Sequence, residues 1–359
     1  MRDLESITAK QILSVRTPEA LFSQSRAQAK AEYRALIRLW HPDFRKTSIA
    51  PEVLAHLVSL YKIAKHKSLH GDWHEPCLKV EQEQAGVKTI RMKDGSIKRF
   101  RYLAASKIEL GCMYIADNYV VFQVDAQYED LYRRARKTVR GLSFSDADMA
   151  CEIAPCLPEI VDCFSSTKSN FIAFRKTPDQ LLLKDICAHM GGAISPVEHV
   201  GWILNVLYNI ACYLEVSGIV HNGISVDTLF VSPLRHSGML LGGWWYSLRF
   251  EEEMLALPED LVRFIPPDIV SNGLACQRAD LELIKATGRA LLGYCDSDWE
   301  SLRFDCRIPA SMLEWLLLPS TGSAVEDYAV WKYEVLPQCF GRPAFVDLRL
   351  VSGDLYKEG

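Results

Sequence analysis

The chain lacks the features that mark secreted, metal-bound and membrane-spanning proteins. Its eleven cysteines form no Cys-x-x-Cys pair, and even the closest group, Cys151, Cys156 and Cys163, fits no zinc spacing. Met1–Ser6 has no apolar stretch of the kind found in signal peptides. Residues 200–220 form the most apolar long segment, but polar side chains interrupt it, so it predicts a buried helix and no membrane span. We therefore expect reduced thiols, no metal site, no membrane partner and a cytoplasmic location.

Known sequence motifs for catalysis and phosphate binding are also absent. The chain contains no P-loop, no Gly-x-Ser-x-Gly, no His-Glu-x-x-His and no EF-hand loop. It has no internal repeat and no low-complexity tract. The usual signatures of P-loop NTPases, serine hydrolases, zinc peptidases and calcium sensors are therefore missing.

Charge is distributed unevenly along a chain that is long enough for two or three folded units. Its 359 residues are 49% hydrophobic and 24% charged, which is typical of globular proteins. Residues 1–70 contain 12 Lys and Arg against 6 Asp and Glu, a balance of +6. Of the 41 basic and 45 acidic residues in the whole chain, that leaves 29 and 39, a balance of −10. A basic amino-terminal part on an acidic remainder predicts different partners for the two.

The amino-terminal part predicts two antiparallel helices. Thr17-Pro18-Glu19 has a capping hydroxyl followed by Pro at the first position, which predicts a helix start. Pro42 ends this helix because it restricts His41 and cannot donate an amide, and Pro51 opens the second helix. The apolar faces recur at helical spacing: Phe22, Ala29, Tyr33, Leu36, Ile37 and Trp40, then Val53, Leu57, Leu60, Tyr61 and Ala64.

A basic stripe on the first helix ends at the tip of this hairpin. The stripe consists of four residues at intervals of four, Arg26, Lys30, Arg34 and Arg38. They share a helix face away from the apolar one, and like charges at this spacing repel by about a few tenths of a kcal/mol per pair. The tripeptide His41-Pro42-Asp43 follows directly. A solvated surface is one interpretation of the stripe, and a contact surface is the other.

The stretch AEYRALIRLWHPDFRK, residues 31–46, resembles the J-domain of DnaJ-type co-chaperones. It matches the family's Tyr-Arg-x-Leu helix, its basic face and its His-Pro-Asp loop. AKQILSV, residues 9–15, resembles the family's first short helix. The resemblance covers about residues 5–70, and we assign the J-domain to residues 1–70.

This resemblance implies docking to a DnaK-type ATPase chaperone and stimulation of ATP hydrolysis by that chaperone. Arg34 and Arg38 would pair with acidic groups on it. His41 and Asp43 would act through hydrogen bonds and charge and not as catalysts. Nucleic acid is not the expected partner, because aromatic residues do not interleave with the charges of the basic part.

The remainder of the chain predicts a sheet-rich part followed by a helix-rich part, an α+β plan. Residues 71–86 are assigned to a linker, 87–190 to the sheet-rich part and 191–359 to the helix-rich part. Asp94-Gly95 predicts a β-hairpin. The predicted elements are strands at Thr89–Met92, Ile97–Tyr102, Ser106–Ile115, Tyr119–Val124, Ile160–Phe164 and Phe171–Arg175, a charged helix near residues 127–137, and a helix capped at Ser195–Glu198 that continues to about Val216.

The segment SGIVHNGISVDTLFVSP, residues 217–233, resembles the catalytic loop of protein kinases. Four other segments stand in the same order as in that family. NYVVFQV stands for the lysine strand, LLGGWWYS for the Asp-Phe-Gly segment, RFIPPDIVS for Ala-Pro-Glu, and QRADLELIKATGRALLG for a helix that begins with a buried Asp, here Asp280. The resemblance covers about residues 86–345 and implies a two-lobed kinase-like body.

The matched positions lack the groups that phosphoryl transfer requires. The strand lysine aligns with Gln123, the catalytic Asp with Gly223, the metal-binding Asn with Thr228 and the metal-binding Asp with Gly243. His221 remains and has a structural role in the family. Asp227 and Asp125 are the candidates to replace a lost carboxylate, but neither position has the geometry of the group it would replace. We therefore expect a pseudokinase with no cofactor. Binding of a nucleotide in the cleft without catalysis is the alternative that the sequence leaves open.

The leading hypothesis is a J-domain co-chaperone whose pseudokinase body holds an unknown client or partner protein. The alternatives are a divergent kinase-like transferase, a nucleotide-binding regulatory protein, or a scaffold whose hairpin no longer contacts a chaperone.

Overall fold

The computed structural model describes residues 7–15, 17–42, 45, 47–70, 73, 82–294, 305, 307–342 and 345–356. Within these residues the chain combines helices with antiparallel sheets, as the expected α+β class requires. The chain divides into two compact units. The first takes its residues from 1–79, 187–197 and 288–318, and the second from 80–186, 198–287 and 319–359. Residues 187–197 and 288–318, assigned by sequence to later parts of the chain, thus belong with the amino-terminal unit.

The bounds of the elements are as follows. The helices are α1 Ala9–Ser14, α2 Arg26–Trp40, α3 Ala50–His70, α4 Glu129–Arg140, α5 Ala147–Ile153, α6 Leu183–His189, α7 Glu198–Val216, α8 Pro267–Asn272, α9 Gln277–Leu291, α10 Ala310–Leu317, α11 Ala324–Val330, α12 Leu336–Phe340 and α13 Ser352–Leu355. The strands are β1 Gln82–Arg91, β2 Ile97–Ile108, β3 Gly111–Ile115, β4 Tyr119–Asp125, β5 Ile160–Ser165, β6 Ser169–Arg175, β7 Leu181–Leu182, β8 Ile219–Val220, β9 Leu229–Ser232, β10 Ser237–Leu240 and β11 Leu248–Arg249. In the part of the chain that the structure describes, no helix is both long and apolar enough to cross a membrane.

The first unit is built around a core between α1, α2 and α3. The predicted proline boundaries are confirmed, since α2 ends at Trp40 and α3 begins at Ala50. The predicted apolar faces also supply the core. Its buried members are Ile12, Leu21, Phe22, Ala29, Leu36, Trp40, Val53, Leu57, Leu60 and Ala64. The two helices therefore form the hairpin that the sequence pattern predicts.

The predicted helix start at Thr17 is wrong. Pro18–Ala20 forms a single 3-10 turn, and the Thr17 hydroxyl makes no capping hydrogen bond. Glu32, a buried carboxylate on α2, instead accepts hydrogen bonds from the Ser23 N–H at 2.7 Å and the Ser23 hydroxyl at 2.6 Å. Because this carboxylate holds Ser23, the chain turns before α2 and the helix begins only at Arg26.

The second unit contains a six-stranded antiparallel sheet with the order β1-β2-β3-β4-β6-β5. The predicted Asp-Gly hairpin is confirmed, with Arg91 opposite Ile97 and Gly95 at a φ of 85°. β1 begins at Gln82, inside the segment assigned to a linker, and of residues 71–81 only Trp73 lies within the described part. The single strand predicted over 106–115 is two strands, since the chain reverses between β2 and β3.

The first two strands extend beyond the rest of the sheet. β3 pairs with β2 only over Ala104–Ile108, so residues 86–103 form a two-stranded segment, which we call the ribbon. The ribbon covers one face of the sheet. Phe100 contacts Tyr114 edge to face at 5.5 Å between ring centroids, and Ile90 joins a buried cluster with Phe164.

The remaining predicted elements of the second unit are present with shifted ends. The strands expected at 119–124, 160–164 and 171–175 are β4, β5 and β6, and the charged helix is α4. The apolar segment after residue 200 lies in α7, which is mostly buried as predicted. That helix begins at Glu198, two residues after the cis peptide bond between Ser195 and Pro196.

Candidate functional site

The four residues of the basic stripe lie on the exposed side of α2. Arg26, Lys30, Arg34 and Arg38 are all exposed, while the opposite side of the helix packs into the core. Within the described part of the chain none of the four makes an ion pair. Arg38 also lies in the last turn of α2, where a cation is favoured by the helix dipole.

Aromatic packing fixes α2 against α3. The rings of Tyr33 and Tyr61 stack at 4.0 Å with an 8° angle between their planes, and Phe22 meets both edge to face. Burial, with a smaller contribution from Tyr61, raises the pKa of Tyr33. At the far end of α2 the Arg45 guanidinium lies 3.8 Å from the centroid of the buried Trp40 ring. These contacts hold the stripe at a fixed orientation.

The stripe leads directly to His41 and Pro42. His41 has an extended backbone with ψ of 132°, and its N–H donates to the Ile37 carbonyl at 2.8 Å, which closes the helix. Both residues are partly exposed, and Asp43 lies outside the described residues. Pro42 also lines an open groove of about 410 Å³ with the α3 residues Pro51, Leu54, Ala55, Val58, Ser59 and Lys62.

Polar contacts that sequence reasoning missed hold the base of this unit. Lys67 on α3 and Glu19 form an ion pair at 2.7 Å, and both side chains are almost fully buried. The Val15 carbonyl accepts from the Arg307 guanidinium at 2.8 Å and lies 2.8 Å from Nε2 of His56. The partners are up to 292 residues apart, so no local pattern could have revealed them.

In the second unit, Asp280 organises the loop that contains the sequence-aligned catalytic positions. It is fully buried, as expected, and accepts hydrogen bonds at 2.7 Å from the N–H groups of both His221 and Asn222. Asn222 has a φ of 57°, a left-handed conformation that asparagine tolerates. Burial raises the pKa of Asp280 to about 7, against the two N–H donors, which lower it. The carboxyl group thus fixes the backbone of this loop.

His221 is an interior residue of the same loop. Its ring is fully buried, and its Nδ1 accepts from the Gly223 N–H at 3.2 Å. The rings of His221 and Trp244 meet edge to face, with 4.8 Å between their centroids. Burial lowers the pKa of His221 to about 3, against a hydrogen bond with the backbone of Gly242, which raises it. The imidazole is therefore neutral at physiological pH, in keeping with a structural role.

Gly223 and Gly243 pack against each other. A Cβ atom at Gly223 would lie 3.2 Å from the Gly243 Cα atom. A Cβ atom at Gly243 would lie 2.6 Å from Cε1 of His221, and this glycine has a φ of 81°. Backbone and imidazole atoms thus fill the space where two aspartate side chains were expected from the alignment. A side chain at either position would have to displace these neighbours, by more at Gly243 than at Gly223.

Thr228 and Asp227 are both engaged in local contacts. The Thr228 hydroxyl donates to the Gly223 carbonyl at 2.9 Å and accepts from the Ser225 N–H at 2.9 Å, which closes the loop. Asp227 forms an ion pair with Lys184 at 2.6 Å. Asp227, one candidate to replace a lost carboxylate, therefore has a cation of its own.

The side chain of Gln123 lies on one face of β4 and that of Phe122 lies on the other. Gln123 accepts from the Tyr114 hydroxyl at 3.2 Å and donates to the Ser169 hydroxyl at 3.1 Å, on the sheet face that the ribbon covers. Alternation along the strand places Phe122 on the other face, where its ring lies 5.2 Å from that of Trp245. The residue of this strand that faces Trp245 is therefore Phe122, which is apolar.

The turn between β2 and β3 places a carboxylate over the same segment. Glu109 accepts from the Tyr246 hydroxyl at 2.7 Å and from the Glu259 N–H at 3.3 Å. Burial, followed by the hydrogen bond from Tyr246 to Glu109, raises the pKa of Tyr246. The Glu109 carboxylate thus joins this turn to residues 246 and 259.

No protein-family model matches the chain, and no curated protein matches it.

The structure thus sorts the sequence-selected residues into two groups. It brings the stripe residues, His41 and Pro42 together along one side and one end of α2. It brings His221, Gly223, Thr228 and Gly243 into contact with one another in the loop that Asp280 holds. Asp227 pairs with Lys184, and Gln123 lies on the sheet face that the ribbon covers. Glu109, Phe122 and Lys184 were missed because each acts through a contact between distant segments.

Proposed function

We propose that the protein is a J-domain co-chaperone. Its amino-terminal hairpin docks to a DnaK-type ATPase chaperone and stimulates ATP hydrolysis, and its kinase-like body serves as a scaffold for a client or partner protein. The observation that carries the proposal is the exposed basic stripe of α2, which ends at His41 and Pro42.

The electrostatics of the stripe favour an acidic partner. Neighbouring stripe residues are about 5–6 Å apart at Cβ, and their mutual repulsion is not relieved by an ion pair within the described residues. An acidic surface on the chaperone would remove this repulsion, accelerate association and set the orientation of docking. The stacked, partly buried rings of Tyr33 and Tyr61 hold α2 against α3, so little conformational entropy is lost on binding.

The tip of the hairpin supports a role in contact and not in catalysis. His41 follows the helix end in an extended conformation, and its side chain is partly exposed beside Pro42. It would contribute hydrogen bonds and charge to the docked complex.

The arrangement of the second unit supports a kinase-like body. The order β2-β3-β4-β6-β5, with α4 following β4, agrees with a kinase amino-terminal lobe that carries its lysine on the third strand. The loop held by Asp280 and the packed glycines agree with a catalytic loop and metal-binding segment that have lost their carboxylates. A body of this kind keeps the shape of the fold for binding another protein.

Binding to an ATP-loaded DnaK-type chaperone tests the proposal. Arg34→Gln combined with Arg38→Gln is expected to weaken binding at least about tenfold, mainly through slower association, because two steering charges are lost. The loss is expected to shrink at high salt, which screens exposed charges. Surface-immobilised chaperone and a salt series measure both effects.

Arg133→Gln combined with Lys137→Gln is the matched control, since it removes the same charge from exposed positions on α4. It is expected to leave chaperone binding within about twofold. Equal weakening by both double variants would indicate a general charge effect, and absence of binding by the unaltered protein would reject the docking function.

A further inference from the structure

The outward face of the ribbon is a basic surface that the proposed function does not use. The inward face packs on the sheet through Ile90, Phe100 and Tyr102. Because side chains alternate along each strand, the residues between these point away from the sheet. The outward residues are paired across the ribbon as Val87 with Arg101, Thr89 with Arg99, and Arg91 with Ile97, and all six are exposed.

Charge on the ribbon is almost entirely positive. Residues 87–101 contain six basic residues and one acidic residue, Asp94. The Asp94 carboxylate accepts from both the N–H and the hydroxyl of Ser96, so it is engaged within the turn. Lys98 pairs with Asp162 on the inward side, and Lys88 lies 4.8 Å from the Tyr114 ring centroid. The inward lysines therefore have partners within the fold.

The three outward arginines have none among the described residues. Arg91, Arg99 and Arg101 form no ion pair there, and no carboxylate is interspersed among them on the outward face. Arg99 and Arg101 are about 6.8 Å apart along β2, and Arg91 is a diagonal neighbour of Arg99 at about 7–8 Å. A row of three like charges without a counter-ion is unfavourable in the free protein and suits a partner with regularly spaced anions.

We propose that the outward face of the ribbon binds duplex DNA, with Arg91, Arg99 and Arg101 on the phosphates and the ribbon seated in the major groove. Guanidinium groups bind phosphate through two parallel hydrogen bonds, which favours arginine at such positions. A two-stranded ribbon fits the major groove of B-form DNA, about 12 Å wide, whereas the deep, narrow groove of A-form RNA excludes it.

The apolar outward residues favour the duplex over a single strand. Val87 is 57% exposed and Ile97 is 56% exposed, so both can contact base edges such as the thymine methyl group. Single-strand binding requires exposed aromatic rings for stacking, but Phe100 and Tyr102 point inward. The sequence-based expectation of no nucleic-acid partner rested on the amino-terminal helices. That expectation did not consider the ribbon, because the part of the chain that contains the ribbon has a net negative charge.

Fluorescence anisotropy with a labelled DNA duplex of about 20 base pairs tests this inference on the full chain. Across salt concentrations of about 50–200 mM, three phosphate contacts predict a log–log slope of about −2.7 for the unaltered protein. The triple variant R91Q/R99Q/R101Q is expected to lose at least about tenfold in affinity and most of that slope. Removing equal charge from α4, in R133Q/K137Q/R140Q, is expected to change affinity less than about twofold.

The outcomes separate this inference from its rivals. The three arginines are exposed, so the glutamine variant is expected to keep the melting temperature of the unaltered protein. Should it fail to fold, R91K/R99K/R101K keeps the charge and is expected to retain the slope with weaker binding. No binding of duplex by the unaltered protein, tighter binding of single strands, or equal loss from the α4 variant would overturn the inference. If polyglutamate displaced the labelled duplex as effectively as unlabelled duplex does, the inference would also be overturned. That result would identify an acidic protein as the partner.

Discussion

At the scale of single residues, Gly223 and Gly243 show how closely the loop held by Asp280 is packed. The sequence shows only that both positions are glycine, whereas the structure shows that neighbouring atoms occupy the space beside each of them. A Cβ atom added at either glycine would lie against the backbone of the other, and the His221 ring lies against Gly243. Packing therefore favours glycine at both positions, and at Gly243 the positive φ does so as well, so an acidic substitution has to shift neighbouring atoms.

Gly223→Asp is expected to destabilise the protein and to create no magnesium-dependent nucleotide binding. Overpacking against Gly243 and Tyr246 costs about 1–3 kcal/mol in the free energy of unfolding. Urea unfolding and thermal shift with ATP and magnesium measure the two effects. Gly353→Asp, at a glycine with open space around it, is the control and is expected to stay within about 0.5 kcal/mol. A stable Gly223→Asp variant with a nucleotide-dependent shift would contradict the packing account.

His221 predicts a dependence of stability on pH. Its pKa is lowered to about 3 by burial, so the unfolded chain binds a proton near pH 6.5 that the folded chain binds only near pH 3. The stabilising contribution is complete above about pH 6.5 and is lost as the pH falls, by up to about 1.4 kcal/mol per pH unit. His221→Gln keeps an acceptor for Gly223 and does not titrate, so its free energy of unfolding should fall less between pH 7 and pH 5. Urea unfolding measures these free energies. An equal fall between pH 7 and pH 5 in the variant and the unaltered protein would show that His221 is not the origin of the dependence.

At this scale the sequence predicts the type of residue at a position better than the face of the sheet on which its side chain lies. The order of segments in the sequence singles out Gln123, but it cannot decide which of two adjacent strand residues faces a given side of the sheet. The partners decide it, since Gln123 joins Tyr114 and Ser169 while Phe122 meets Trp245. Contacts such as Glu109 to Tyr246 join residues 137 positions apart and have no local signature.

At the scale of elements, periodicity and proline positions predicted the hairpin of α2 and α3 well, and local capping signals predicted its start poorly. Thr17-Pro18-Glu19 has the composition of a helix start, yet tertiary contacts use these residues otherwise. Glu19 turns inward to Lys67, and Glu32 holds Ser23, so the chain between them cannot continue as a helix. Tertiary contacts overrode a local preference worth only about 1 kcal/mol.

Breaking the buried ion pair of Glu19 and Lys67 is expected to lower the stability of the first unit. Glu19→Met removes the carboxylate that pairs with the buried Lys67 side chain and is expected to cost about 3–5 kcal/mol in the free energy of unfolding. The double variant Glu19→Met/Lys67→Met removes both charges and is expected to recover most of that loss. Chemical denaturation of the two variants measures the difference.

Arg133→Gln is the control for this cycle, because it breaks an exposed pair with Glu129 and should cost less than about 0.5 kcal/mol. If Glu19→Met were as mild as Arg133→Gln, the buried pair could not be the anchor of α3.

At the scale of the whole molecule, the α+β class and most strands could be predicted from alternation and turn residues, whereas the grouping of segments could not. Residues 187–197 and 288–318 belong to the same compact unit as the amino-terminal helices, through contacts such as Arg307 to Val15. The ribbon was predicted as a hairpin, but its placement over the sheet depends on Ile90 and Phe100 meeting rings from later strands. Such long-range packing follows from the assembled fold and leaves no periodic trace in the sequence.

The central claim is that the tip of the amino-terminal hairpin activates a DnaK-type ATPase. Single-turnover ATP hydrolysis by the chaperone, with and without this protein, tests it most directly. The unaltered protein is expected to raise the rate at least about tenfold, and His41→Gln to leave it near the basal value with the fold intact. Ser48→Ala, an exposed change in the same loop, is expected to retain stimulation. Absence of stimulation by the unaltered protein, or full stimulation by His41→Gln, would contradict the account.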